Sequence, residues 1–289
     1  MSLFLRVEVV MKVWIIGRWG MLARAMQRKC QQKGIPYFMT SRKEVDIKSE
    51  EALRAQFETL EFTHIINCSG YTAVDQAEVE KEKAHALNGR AVGLLAKLSQ
   101  EKGNRLIHFS TDYVFDGEKE GYREDDEKAP LSEYGKSKEL GERLLFEHYP
   151  EALLIRTSWL FGREGKDFVK KMMTLMDEKE ALHVVSDQKG RPTYADDLAE
   201  AVLSMLDDAG TFHFANDGET TWHEFAETIQ KKLSQKKKIR CKKVEPISSD
   251  EFETKAKRPR SSVLETDHFT PRHWVLALEE VIEHALRPK

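Results

Sequence analysis

The sequence predicts an α/β protein, with a doubly wound parallel sheet followed by a smaller α+β lobe towards the C-terminal end. Three observations carry this. Short apolar runs alternate with longer helical patterns over the first half of the chain. The first run breaks into a glycine-bearing turn that leads straight into a helical pattern. Beyond Thr157 the alternation loosens, returns near Thr211, and then gives way to a mixed pattern. The predicted division is 11–158 with 194–216 for the sheet domain, and 159–193 with 217–289 for the lobe. A chain of 289 residues is long enough for both.

Composition narrows the function classes. Hydrophobic content of 40% and charged content of 33% describe a soluble globular protein, and a net charge of -3 gives no pull towards nucleic acid or an anionic membrane. Cys30, Cys68 and Cys241 are odd in number and widely spaced. They form neither a disulfide framework nor a metal pattern, so a reducing cytoplasm is the expected compartment. No run approaches the roughly 20 apolar residues of a membrane span. Residues 1–10 are interrupted by Arg6 and Glu8 and lack the parts of a signal peptide. They are expected to extend outside a fold that starts at Met11.

Lys12-Val13-Trp14-Ile15-Ile16 reads as a buried parallel strand. It ends at Gly17-Arg18-Trp19-Gly20-Met21-Leu22-Ala23 and a helix to about Lys33. Strand, glycine turn and helix are what a dinucleotide phosphate needs. Gly17 permits the turn, Gly20 lets backbone approach the anion, and small Ala23 packs the helix on the strand. The spacing is GxxGxxA, that of extended short-chain reductases, with bulky Arg18 and Trp19 unusual inside it. A second strand, Ile35 to Met39, runs into Ser41-Arg42-Lys43, where a site for NAD usually has an acid. A hydroxyl beside two cations suits a ribose 2′-phosphate and predicts NADPH. Asp46-Ile47 precedes a helix, Ser49 to Leu60, and could touch the adenine side.

The third strand, His64 to Cys68, opens into Ser69-Gly70-Tyr71, small enough for a cofactor to lie against, and a helix follows from about Glu80 to Glu101. The fourth strand, Arg105 to Phe109, delivers Ser110-Thr111-Asp112. A charged, proline-bearing loop then leads to a helix from Glu133 to His148, which carries Tyr134 and Lys138 on one face at i, i+4 spacing. A phenol titrates near pH 10, too high for proton transfer at neutrality, and a neighbouring ammonium would pull it down. Tyr134 is thus the expected proton donor, Lys138 its tuner and a donor to a cofactor ribose, and Thr111 a donor to the reacting carbonyl oxygen. A fifth strand, Leu153 to Thr157, ends at Ser158-Trp159, the crossing into the lobe.

Further on, a helix from about Lys166 to Met176 and a strand from Leu182 to Val185 are predicted, then a helix from Tyr194 to Leu206 and a returning strand from Thr211 to Phe214. Two more helices follow, Trp222 to Leu233 and Trp274 to Leu286. The basic run Lys236 to Lys243 alternates in its second half as an edge strand would, its charges forming a solvated face that discourages pairing.

In order along the chain, Tyr71-Thr72-Ala73-Val74-Asp75, Ser110 to Gly117, Pro130-Leu131 through Tyr134-Gly135-Lys136-Ser137-Lys138, Arg156-Thr157-Ser158-Trp159, and Asp187-Gln188 with Gly190 and Pro192-Thr193 resemble the dTDP-4-dehydrorhamnose reductase family. The resemblance covers nearly all the chain from Met11. It implies an NAD(P)-binding Rossmann domain with a substrate-binding lobe, and reduction of the 4-keto group of a dTDP-linked 6-deoxyhexose with NADPH or NADH. Carried over residue by residue, Thr111, Tyr134 and Lys138 match the catalytic set. Gly20, Met21, Leu22, Asp46, Ile47, Ser69, Gly70 and Tyr71 match cofactor positions; Thr111, Asp112 and Trp159 match substrate positions. The resemblance leaves a homodimer open. Arg18, Trp19 and Met21 depart from the small polar residues and glutamine usual in the glycine loop, and the acids that bind magnesium between subunits in some members find no match, so no metal is expected.

Two alternatives share much of this pattern. An epimerase or dehydratase would use the same fold, but a dehydratase places an acid pair after its threonine and here Asp112 is followed by Tyr113. A non-catalytic regulatory subunit like the β subunit of methionine adenosyltransferase shares the Ser110 to Gly117 stretch. Trp159 after Arg-Thr-Ser favours the reductase.

Overall fold

Val13, Trp14, Ile15 and Ile16 all lie buried, so neither face of their strand meets water. A strand apolar on both faces belongs inside a parallel sheet covered on both sides, and that is the sheet seen. The computed structural model describes residues 11–287; the extension expected at 1–10 lies outside the described residues. The sheet's strands are β1 (Val13–Ile16), β2 (Tyr37–Thr40), β3 (His64–Asn67), β4 (Arg105–Thr111), β5 (Leu153–Thr157) and β6 (Gly210–Phe214). All pair in parallel, in the order β6-β5-β4-β3-β1-β2.

Helices α1 (Met21–Lys33), α2 (Glu50–Thr59), α3 (Ala91–Lys102), α4 (Glu133–His148), α5 (Phe168–Glu178), α6 (Ala195–Leu203), α7 (Trp222–Ser234) and α8 (Trp274–Leu286) follow in chain order. Period-2 alternation divides the strand residues between two cores. Val13, Ile15, Ile107 and Ile155 pack with α1 and α6, whereas Trp14, Ile16, Leu106 and Leu154 pack with α2, α3 and α4. Caps set the ends: Ser49 Oγ accepts from Ala52 N at α2, and Ser132 Oγ accepts from Gly135 N at α4.

The helix expected from Glu80 to Glu101 is interrupted. Lys81–His85 is α-helical, Ala86–Arg90 widens into a π turn, and α3 resumes at Ala91. The extra residue turns Asn88 inward, and such bulges concentrate at functional sites. Small residues let α4 close on this bulge. A Cβ at Gly141 would meet the Asn88 carbonyl oxygen, and one at Gly89 the Leu140 side chain.

Helices α5, α7 and α8 enclose a third core around Phe161, Met176, Phe225, Ile229 and Leu278. Its two-stranded parallel sheet pairs Ala181–Val185 with Lys243–Ile247. The strand expected in the second half of the basic run therefore starts at its last lysine. Val244 is apolar enough to bury against this core, whereas Arg240 and Lys242 stay in water. No helix among the described residues is long and apolar enough to cross a membrane.

Candidate active site

The C-terminal tips of β1, β3, β4 and β5 form one edge, and β1 and β3 flank the point where the strand order reverses. Ligands of open parallel sheets bind outside such a point. Gly17 lies there with φ +99°, a left-handed conformation that favours glycine, and a Cβ on it would sit 3.2 Å from the backbone of Cys68 and Ser69. Gly20 caps α1 without any side-chain hydrogen bond, and the first turn holds no acid. The helix thus presents unsatisfied N–H groups and the positive end of its dipole, which fit a dinucleotide's diphosphate. The side chains of Met21 and Leu22 are engaged in packing. The Leu22 side chain is in the core, and Met21 Cγ would stand 3.0 Å from a Cβ on Gly162, so it ties this loop to the start of the lobe.

At the end of β2, Arg42 is exposed and faces Asp46 at 3.8 Å. A further cation, Arg18 from inside the glycine loop, also comes to this end: its Nη1 and the Ser41 N and Oγ all donate to the Glu44 carboxylate. Arg18 N is anchored on the Thr40 carbonyl, which starts its side chain alongside β2. Asp46 accepts from Lys48 N and stays partly exposed. Ile47 is 3% exposed, with its side chain in the core.

Ser69 N and Oγ donate to Asn67 Oδ1, and Gly70 runs 3.4 Å (as a built Cβ) from Asn88 Oδ1. Tyr71 N donates to Asn88 Oδ1 at 2.7 Å, and Asn88 Nδ2 donates to the Tyr71 carbonyl and to Ser137 Oγ. Asn88 therefore fixes the 69–71 loop to the helix that carries Tyr134. Sequence reasoning missed it, because an asparagine within a helical pattern gives no sign of a π turn.

Thr111 ends β4, and Tyr134 and Lys138 come to it from the first turns of α4. A Cβ on Gly135 would stand 2.2 Å from the Tyr113 carbonyl oxygen, so glycine is what lets α4 start against the strand tip. Tyr134 is half-buried, with its ring 6.0 Å from that of Tyr113 and edge-on. Loss of hydration pushes its phenol up to about 12, the Thr111 hydroxyl pulling the other way and the Asp112 charge adding to the rise. Lys138 is buried, and its ammonium donates to the Phe109 carbonyl at 2.5 Å. Burial brings it down to about 8, against the opposing charge of Glu142. The expected acidification of Tyr134 by Lys138 is thus absent: the ammonium is spent on a carbonyl, and desolvation outweighs what remains. Glu142, also missed, backs Lys138 from one turn along α4 while bound to Arg156 at 2.8 Å.

A second group of polar side chains lies between β4, β5 and the 190–193 segment. Asp112 Oδ1 accepts from Thr111 Oγ1 at 2.9 Å, and its Oδ2 is buried with no partner among the described residues. Burial pushes this carboxyl up to about 7, opposed by the nearby Ser262 hydroxyl, which donates to the Lys189 carbonyl rather than to Oδ2, and by the Thr111 hydroxyl. Trp159 has φ +45°, the one non-glycine residue in the left-handed region among those described, and such strain collects at functional sites. Its indole stacks on Trp222 at 3.5 Å and 6° between planes, and a Cβ on Gly190 would strike it at 2.5 Å. Only part of its surface is left for a ligand. Arg191 Nε, Thr193 Oγ1 and Thr157 Oγ1 are likewise buried and unpartnered. No three or more His, Cys, Asp or Glu side chains among the described residues are placed to share a metal.

The family model described as RmlD substrate binding domain matches residues 11–287. The chain is 37% identical to the spore coat polysaccharide biosynthesis protein SpsK of Bacillus subtilis, across 94% of this chain and 97% of that one. It is 34% identical to a dTDP-4-dehydrorhamnose reductase of Aggregatibacter actinomycetemcomitans, across 95% and 99%. The crystal structure of dTDP-4-dehydrorhamnose reductase from Bacillus anthracis in complex with NADP superposes with a TM-score of 0.90 at 33% identity, covering 94% of this chain and 99% of that one. Its GxxGxxA loop, the Thr111, Tyr134 and Lys138 constellation and these end-to-end matches agree, and the chain belongs to the RmlD family, that of the dTDP-4-dehydrorhamnose reductases.

Proposed function

We propose that this protein reduces the 4-keto group of a nucleotide-linked 6-deoxyhexose, taking dTDP-4-dehydro-L-rhamnose to dTDP-L-rhamnose, with NADPH or NADH. The observation that carries the reading is the convergence of Thr111, Tyr134 and Lys138 at one strand tip beside an uncapped helix N-terminus. The loop of Gly17 and Gly20 and the backbone of Met21 and Leu22 hold the diphosphate. Ser69, Gly70 and Tyr71 form the floor of the cleft. When bound, the reduced nicotinamide supplies a hydride to the keto carbon.

Tyr134 gives its proton to the oxygen at that carbon. A phenol raised to about 12 is fully protonated at neutral pH and still more acidic than an alkoxide's conjugate acid, so the transfer runs downhill. Thr111 turns its hydroxyl from Asp112 Oδ1 to steady the same oxygen, and Lys138, still on the Phe109 carbonyl, has further N–H donors for the nicotinamide ribose. Asp112 uses its free Oδ2 on a sugar hydroxyl, and Trp159 supplies an apolar edge. The sheet domain (11–158 with 194–216) carries the cofactor and the lobe (159–193 with 217–289) the sugar nucleotide, a division supported by their separate cores. The natural setting is the cytoplasm, where its three free thiols stay reduced.

The test follows NADPH and NADH absorbance against a panel of 4-keto-6-deoxy nucleotide sugars. Consumption with the dTDP sugar is expected. Cofactor binding without turnover on any member would replace the reductase by the regulatory reading.

A further inference from the structure

The end of β2 contains an anion site that the chain fills itself. Glu44 Oε2 accepts from Ser41 N and Ser41 Oγ, both at 2.7 Å, and Oε1 accepts from Arg18 Nη1 at 2.7 Å. A backbone amide, a hydroxyl and a guanidinium converging on one carboxylate are also a donor set that suits phosphate oxygens. The cradle does not depend on Glu44. Arg18 is pinned separately, by Nη2 on the Met39 carbonyl and by its own N–H on the Thr40 carbonyl. Glu44 itself is 44% exposed at its side chain, so it can rotate into water without burying charge. The neighbouring acid, Asp46, is engaged with Lys48 and Arg42 instead.

We propose that Glu44 occupies from within the chain the Arg18–Ser41 cradle that receives the 2′-phosphate of NADPH, competes with that phosphate, and so narrows the preference for NADPH over NADH. This rests on the reading that a dinucleotide's adenosine half lies along the Gly17–Ser41 edge. A 2′-phosphate must exchange for a carboxylate already satisfied by three donors, and gains only the difference. A 2′-hydroxyl brings no anion and leaves Glu44 in place.

Isothermal titration of the full chain with NADP+, NAD+, adenosine 2′,5′-bisphosphate and 5′-AMP tests this without turnover. Glu44→Gln keeps the side-chain shape but loses the charge attraction to Arg18. It should bind NADP+ and the bisphosphate about three- to tenfold tighter and leave NAD+ and 5′-AMP within about twofold; Glu44→Ala should agree. Equal changes for phosphorylated and unphosphorylated ligands, or none, would overturn the competition. Arg18→Met separates the two levels. If it weakens NADP+ binding while Glu44→Gln does nothing, the ribose site stands and the competition falls. If Arg18→Met and Ser41→Ala both leave the 2′-phosphorylated ligands unchanged, the ribose site is elsewhere and both fall.

Discussion

The two ends of the same strand-tip edge are finished differently. Around β1, β2 and β3 the polar groups satisfy one another: Ser41 with Glu44, Ser69 with Asn67, Tyr71 with Asn88, Trp14 Nε1 with Thr40. Around β4, β5 and the 190–193 segment they do not. Of the seven buried side-chain polar atoms without a partner among the described residues, five belong to Ser110, Asp112, Thr157, Arg191 and Thr193. Such orphans are rare and costly in folded proteins. The difference teaches that one end of the edge is closed by its own hydrogen bonds while the other keeps buried polar groups unpaired, which supports the proposed division between cofactor and sugar.

The largest test of that contrast is at its centre. Tyr134→Phe should lower kcat about 10²- to 10⁴-fold with cofactor affinity unchanged by fluorescence titration; unchanged turnover would remove Tyr134 from the chemistry. Next is the charge on Asp112. Its folded value, near 7, is above that of the unfolded chain, so the folded state keeps a proton that the unfolded state loses. Stability should therefore fall as pH rises from about 4 to about 7, by on the order of 4 kcal/mol from this group. Asp112→Asn should lose that slope in urea unfolding across the window. Parallel slopes in both proteins would place the carboxyl in a wetter setting than the orphaned Oδ2 implies.

Two smaller changes set the ends against each other. Asn88→Ala strips partners from the Tyr71 backbone and Ser137, and should cost about 1–3 kcal/mol of stability and weaken cofactor binding. Thr157→Val removes a hydroxyl that has no partner among the described residues, so stability should hold or rise by about 1 kcal/mol or less, while KM for the sugar nucleotide rises. A Thr157→Val protein as unstable as Asn88→Ala would erase the distinction between satisfied and waiting groups.

Much of this was legible beforehand for local reasons. The strand Leu153–Thr157 and the helices Glu133–His148 and Trp274–Leu286 fall where apolar periodicity put them, since burial of one face or two is written in residue order. The π turn at Ala86–Arg90 was not legible, because it exists to bring Asn88 to Tyr71 and Ser137, partners 17 and 49 residues away. Nor was the strand at Lys243–Ile247, whose boundary follows which side chain reaches the third core. At the site, spacing put Tyr134 and Lys138 on one helical face. It could not say that Lys138 would point at the Phe109 carbonyl, or that Arg18 would share the Glu44 carboxylate with Ser41.

Residue order alone determined the alternation of strands and helices, the glycine turn ahead of α1 and the identity of the Thr, Tyr and Lys groups, because those depend on side-chain volume, polarity and spacing along one element. Tertiary structure decided which groups are charged and which are paired. Those properties depend on how much water and which distant partner each group keeps once the strand tips, the α4 helix and the lobe close around it.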